Sequence, residues 1–280
     1  MPAGAPVHPR PGGAHTGRHA GGGIPAADPP QAPERLMTVA KTPPATAGAA
    51  PARLDADAGA GTGAGLVASL GGQLDAGLAA LGVAASATQR AQLLAYVDLL
   101  ARWSRTYNLT AVREPRDMIP RHLLDSLAVL PWVRRGPVLD VGTGAGLPGI
   151  PLAIARPHLA FTLLDSNGKK IRFVRQTVLE LGLDNVTAVQ ARTRAYRPQA
   201  NFATITARAV TSLDQLCADC APLLAPGGVL LALKGREPTA ELDALAKAAP
   251  AGARAHAVAV HRLTVPTLDA ERCLVEVAFE

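Results

Sequence analysis

Val138-Leu-Asp-Val-Gly142-Thr-Gly144-Ala-Gly146-Leu-Pro-Gly149 is the stretch on which the reading of this chain turns. Its short apolar run ends close to Asp140 and passes straight into glycines, which permit tight turning and close approach of a backbone to a ligand. A helix follows, and a helix start presents unpaired N–H groups. Strand, glycine turn and helix in that order suit a nucleotide-like ligand at the carboxyl end of a first strand. Gly144-x-Gly146-x-x-Gly149 also matches the dinucleotide fingerprint, a weak signal alone. Its register is off, because the first glycine after the strand is Gly142 and the strand carries an acid at its end.

Working outward, short apolar runs alternate with helical stretches. Strands are expected at 138–141, 161–164, 186–189, 203–206 and 229–233, with helices at 150–156, 169–181, 213–223 and 239–248 between them. That alternation predicts crossover units and a parallel sheet covered on both faces. Two further strand-like runs, 257–263 and 273–279, have no helix between them and are expected as an antiparallel pair at one edge. The fold class is therefore α/β, a doubly wound, mostly parallel seven-stranded sheet. Before it, leucines at 66, 70, 74, 78 and 81 recur at helical spacing. Ser86 with Gln89 fits a capping box opening a second helix, and a third is expected at 122–130, ended by Pro131. The expected organisation is a leader at 1–65, a helical layer at 66–135 and the sheet domain at 136–280.

The leader contains 17 Ala, 12 Gly and 11 Pro and no aromatic residue. So little large apolar surface cannot offset the entropy of ordering a backbone, and disorder is expected there. No apolar run approaches the ~18 residues of a membrane span, and the N-terminus lacks the pattern of a secretory signal. Three cysteines do not make a disulfide framework. A reducing, cytoplasmic setting and a monomer are expected. The net charge of +6 permits a polyanionic partner.

Asp140-x-Gly142-x-Gly144-x-Gly146 resembles motif I of the S-adenosylmethionine-dependent methyltransferases. A carboxylate beside the turn can receive the methionine ammonium, directly or through water. Asp165 ends the next strand, 19 residues past Gly146, where it can accept from both ribose hydroxyls. Further segments narrow the resemblance: Tyr107-Asn-Leu-Thr-Ala111, Arg121-His-Leu-Leu-Asp-Ser-Leu127, Leu147-Pro-Gly-Ile-Pro-Leu152, Leu163-Leu-Asp-Ser166 with Lys169-Lys170, Arg208-Ala209 and Ala232-Leu-Lys-Gly235. Scattered in order across 88–280, they make the chain similar to the RsmG (GidB) family. The resemblance implies methyl transfer from S-adenosylmethionine to N7 of a guanine in 16S ribosomal RNA, position 527 in the family's convention.

It also implies the site. Gly142, Gly144 and Leu147 of the turn, with Asp140, should face the methionine and ribose side of the cofactor, and Asp165 the ribose. Thr193 and Arg194 occupy the place of the adenine contact, although Thr193-Arg194-Ala195-Tyr196 replaces the apolar residue and acids common in relatives. Arg208, with Arg121, should lie near the cofactor or the target base. Guanine N7 has a lone pair and no proton to lose, so neither a catalytic base nor a metal is expected; alignment should suffice.

The partner implied is 16S rRNA or the small ribosomal subunit, bound through a basic rim of Arg121, Lys169, Lys170, Lys234 and Arg236 beside Arg208. Arg172 and Arg175 read better as solvated surface, and Arg102, Arg105, Arg113 and Arg116 add charge to the helical layer. Cys217-x-x-Cys220 on a helix, without a second pair, reads as packing rather than metal or redox chemistry. Cys273 reads as a buried strand residue. His122 could touch substrate or pack, Asp125 cap or pair, and Trp103 with Tyr107 pack at helical spacing. Two other functions remain open at this point: a nicotinamide-dependent oxidoreductase, on the glycine match, and a non-catalytic RNA-binding protein, on the basic rim.

Overall fold

The computed structural model of the protein describes residues 60–247 and 255–279. Residues 1–59 of the expected leader, and Ala248 at the expected end of the last helix, lie outside the described residues. Among the described residues there are seven strands: β1 (Val138–Val141), β2 (Phe161–Asp165), β3 (Val186–Gln190), β4 (Phe202–Arg208), β5 (Leu224–Lys234), β6 (Ala255–Leu263) and β7 (Arg272–Phe279). They form one sheet in the order β3-β2-β1-β4-β5-β7-β6. The first five pair in parallel, and β7 runs antiparallel to both β5 and β6. β1 sits among the parallel strands and all four of its residues are buried. A strand covered on both faces cannot alternate apolar with polar, which is why its sequence is apolar apart from Asp140.

Among the described residues, eight α-helices accompany the sheet: α1 (Ala60–Ala80), α2 (Ala87–Tyr107), α3 (Pro115–Met118), α4 (Asp125–Leu127), α5 (Gly149–Ala155), α6 (Gly168–Leu181), α7 (Leu213–Cys220) and α8 (Thr239–Lys247). The capping box opens α2 as expected: Gln89 N–H donates to Ser86 Oγ, and Ser86 N–H donates to Gln89 Oε1. α1 starts at Ala60, six residues before the expected Leu66. α7 stops at Cys220, and 221–223 continue as a 3₁₀ turn.

The third expected helix is different in kind. Helical backbone begins at Pro115, passes through a π-helical segment at Ile119–Leu124 and ends with α4. Pro131 does not end it but sits inside a separate 3₁₀ turn, Leu130–Trp132. The wider π turn lets Pro120, which has no N–H, lie within a helical run, and such turns often mark functional positions. One core cluster joins the helical layer to the sheet, running from Leu74 and Leu100 through Leu123 to Ile150, Phe161 and Phe173. A second fills the opposite face, between α7 and β4, β5 and β7.

Candidate active site

Sheet register sets the site. Val141 pairs with Leu164 on one side and Ala207 on the other, so Gly142 emerges between Asp165 of β2 and Arg208 of β4. The crossovers change direction between β1 and β4, and ligands of open α/β sheets bind at such a switch point.

Asp140 lies under the glycine turn, fully buried. Its Oδ2 accepts from the Thr143 hydroxyl at 2.5 Å and from Gly149 N–H at 3.0 Å, while Oδ1 accepts from the Thr206 hydroxyl at 2.9 Å. Burial pushes its pKa up to about 6 against the pull of those donors and of the Arg208 charge. Through these bonds the carboxylate braces the turn from beneath. The expectation of free amides at the helix start is corrected here. Gly149 N–H is taken by Asp140, and Ile150 N–H donates to Gly146 O at 2.7 Å. Gly149, third glycine of the dinucleotide-like match, serves packing; a Cβ there would strike Leu163 and the Asp140 carboxylate.

Asp165 is oriented by its own strand end. Its Oδ2 accepts from Gly144 N–H at 2.9 Å and Oδ1 from Asn167 N–H at 2.8 Å, and Lys170 Nζ lies 3.9 Å from Oδ2. Each carboxylate oxygen can accept a further bond. A cavity of about 440 Å³ opens beside it, lined by Gly142, Asp165 and Ser166 on one side and by Ala191 to Arg194, Val210 and Asp219 on the other. That volume falls within the range usual for small-molecule sites. Gly142 has φ +64°, and a Cβ there would come within 2.8 Å of Val210 Cγ2. The turn therefore needs glycine both for its conformation and to leave the cradle open.

The expected residues thus divide. Gly142, Asp165, Thr193 and Arg194 line one cavity. Gly144 borders it through its bond to Asp165. Leu147 is buried in the turn, with its N–H on Thr143 O. Arg194 Nε donates to Asp219 Oδ1 at 2.7 Å. Among the rim residues, Arg121, Lys169 and Arg236 are exposed. Lys234 is not free: Nζ donates to Glu241 Oε2 at 2.7 Å, and the same oxygen accepts from the first amide of α7. Arg113 caps the end of α2 through Ser104 O and Asn108 Oδ1.

Arg208 and Asp125 meet. Arg208 Nη1 donates to Asp125 Oδ2 at 3.0 Å, and Arg272 Nε donates to Asp125 Oδ1 at 2.7 Å. His122 bonds through Nε2 to the Thr110 hydroxyl and through Nδ1 to Arg121 O. Burial, chiefly, and the Arg208 charge pull its pKa down to about 4, so the ring is neutral at pH 7. Cys217, Cys220 and Cys273 are all buried, as their strand and helix positions suggest. Burial pushes the Cys217 thiol up to about 12, which leaves it inert at neutral pH. Trp103 stacks at 5.2 Å on Tyr107 and at 5.5 Å on Phe173, a packing role.

Val210, Arg192 and Arg272 were not singled out from the sequence. Arg272 had a usable signal, since the first residue of a strand antiparallel to β5 lies at the carboxyl edge of the parallel strands. Val210 had none, because its place depends on the left-handed Ala209 before it, φ +53°.

A doubly wound sheet ending in an antiparallel edge pair, with a carboxylate-braced glycine turn at its switch point, defines a Rossmann-like class I methyltransferase. Residues 89–267 match the GidB family, rRNA small subunit methyltransferase G. Ribosomal RNA small subunit methyltransferase G of Marinobacter nauticus is 52% identical over 207 residues, covering 74% of this chain and 94% of that protein. The protein of the same name from Methylococcus capsulatus is 52% identical over 203 residues, 72% of this chain and 96% of its own. Among solved structures, the glycopeptide N-methyltransferase MtfA is similar at 15% identity and TM-score 0.46, over 57% of this chain and 97% of that one. The chain belongs to the rRNA small subunit methyltransferase G family.

Proposed function

We propose that this protein transfers a methyl group from S-adenosylmethionine to N7 of a guanine in 16S ribosomal RNA. The observation that carries the reading is the cavity bounded by Asp165 and Gly142 at the β1/β4 switch point, in a chain of this family. When bound, the cofactor supplies an electrophilic methyl group. The chain's own residues do the rest by placement.

Asp165 has an acceptor left on each oxygen for the two ribose hydroxyls. Ala191 to Arg194 form the opposite wall, where an adenine would lie against backbone, with the Arg194 side chain drawn aside to Asp219. Gly142, Gly144 and Leu147 border the methionine end. Arg208 and Arg121 meet beyond the end of β4, and the reading assigns the entering base to that side. N7 attacks with an in-plane lone pair and has no proton to lose, so the gain comes from holding it in line with the methyl group. Neutral His122, tied at both ring nitrogens, fits a site whose substrate becomes positively charged. Arg121, Lys169, Lys170 and Arg236 supply positive charge for an RNA backbone, while Lys234 is held by Glu241.

The test has two arms. S-adenosylhomocysteine should bind to the wild type in calorimetry while NADH does not, and Asp165→Ala should weaken that binding by about 100-fold, as expected for two charge-assisted bonds. N7-methylguanine in 16S rRNA should appear only where the protein is present. Unchanged affinity in Asp165→Ala would remove the ribose assignment, and methylation at another atom or in another RNA would overturn the reading.

A further inference from the structure

Asp125 is only 4% exposed, yet its carboxylate receives two guanidinium groups from separate strands. Arg208 comes from the carboxyl end of β4 and Arg272 from the start of β7, which is the same edge of the sheet because β7 runs antiparallel. Arg208 pairs in register with Leu233, and the neighbouring Lys234 pairs with Cys273, so the two arginines flank the end of β5. Both remain partly open, at 21% and 26% side-chain exposure. Arg208 Nη1 also lies 3.5 Å from the Arg121 carbonyl. Two positive groups on one buried negative group leave one unit of positive charge, fixed in position at the carboxyl edge of the parallel strands.

We propose that Arg208 and Arg272, held by Asp125, form a binding site for one RNA phosphodiester next to the target guanine. The proposal rests on the methyltransferase reading above and adds to it where the RNA backbone is gripped. A target base reaches the cavity only if its flanking phosphates come to this edge. A guanidinium aimed at N7 itself would oppose the positive charge that methylation creates there. Anchoring both arginines on Asp125 directs their remaining N–H groups to backbone oxygens instead, in the planar geometry that suits phosphate. The residual charge matches that of one phosphodiester. A carboxylate that merely fastened the helical layer to the sheet would need only one of the two partners.

The experiment measures methyl transfer to small ribosomal subunits across a range of salt concentrations. With Arg272→Gln, KM for the subunit should rise about tenfold, as for a lost charged hydrogen bond. The slope of log KM against log salt should become shallower by about 0.7 to 0.9, the value of one phosphate contact. S-adenosylhomocysteine affinity should stay at the wild-type value. Arg272→Lys, which keeps the charge and loses the fork, should keep the wild-type slope and raise KM by a smaller factor at an unchanged melting temperature, and if Arg272→Gln does not fold it decides by KM against melting temperature. A purely structural clasp would lower the melting temperature in both variants and leave the slope unchanged; that result overturns the proposal. Absence of methyl transfer by the wild type overturns the underlying reading, and the proposal with it.

Discussion

Two buried titratable side chains near the cofactor turn pull stability in opposite directions with pH. Asp140 has a folded pKa of about 6, above its ordinary 3.8, so the native state holds its proton more tightly than the unfolded chain does. Its ionisation therefore lowers stability as pH rises from about 4 to 6. His122 has a folded pKa of about 4, below 6.5. The unfolded chain binds that proton more tightly, so His122 adds stability as pH rises from 4 to 6.5 and loses it on acidification. Over their shared window the two slopes nearly cancel. With His122→Gln, the wild type should gain on the variant by about 1.4 kcal/mol per pH unit between 4 and 6.5. The difference should be flat above 7, as read by urea unfolding at a series of pH values. Gly142→Ala tests the turn itself. A left-handed conformation costs an L-residue about 1–2 kcal/mol, and the new methyl meets Val210. Melting temperature and cofactor affinity should fall together.

Tyr96 of α2 is fully buried and donates to the Ala145 carbonyl at 2.8 Å, which ties the helical layer to the glycine turn. Tyr96→Phe keeps the packing and removes only the hydroxyl. Stability should drop by about 1 kcal/mol, and cofactor affinity should weaken with it; unchanged affinity would mean the turn holds its shape unaided. The strands were legible at this scale because their apolar runs are short, with glycine or proline bounding β1 and an acid ending β2. β1 spans 138–141 as expected, and the antiparallel pair, expected at 257–263 and 273–279 from the missing crossover helix, spans 255–263 and 272–279. The Pro115–Leu127 region was not legible. A π turn has no sequence period of its own, and Pro120 reads as a break when the structure uses it inside the run. The cavity residues after β3 were placed by family pattern, whereas the double pairing of Asp125 joins residues up to 147 positions apart and no local spacing encodes it.

The helical layer and the sheet domain are separate in sequence pattern but share one core. Leu74 of α1 is fully buried in the cluster that contains Ile150 and Phe161. Leu74→Ala should cost about 2–5 kcal/mol. Unfolding should remain a single transition when helicity and Trp fluorescence are followed together; two separated transitions would show that the layer folds by itself. Charge is distributed across the whole sheet edge as well, with acids at the ends of β1 and β2 and bases at the ends of β4, β5 and β7. The Asp140 brace has a further consequence. Helix α5 begins on a carboxylate of the chain itself, where related glycine turns hold a pyrophosphate. Adenine nucleotides share the nucleoside half of the methyl donor and are abundant competitors in any cell. Their polyphosphate would find no spare amide at that helix and would face Asp165 as well. The turn therefore offers a polyphosphate none of the amide cradle that a dinucleotide-binding turn provides.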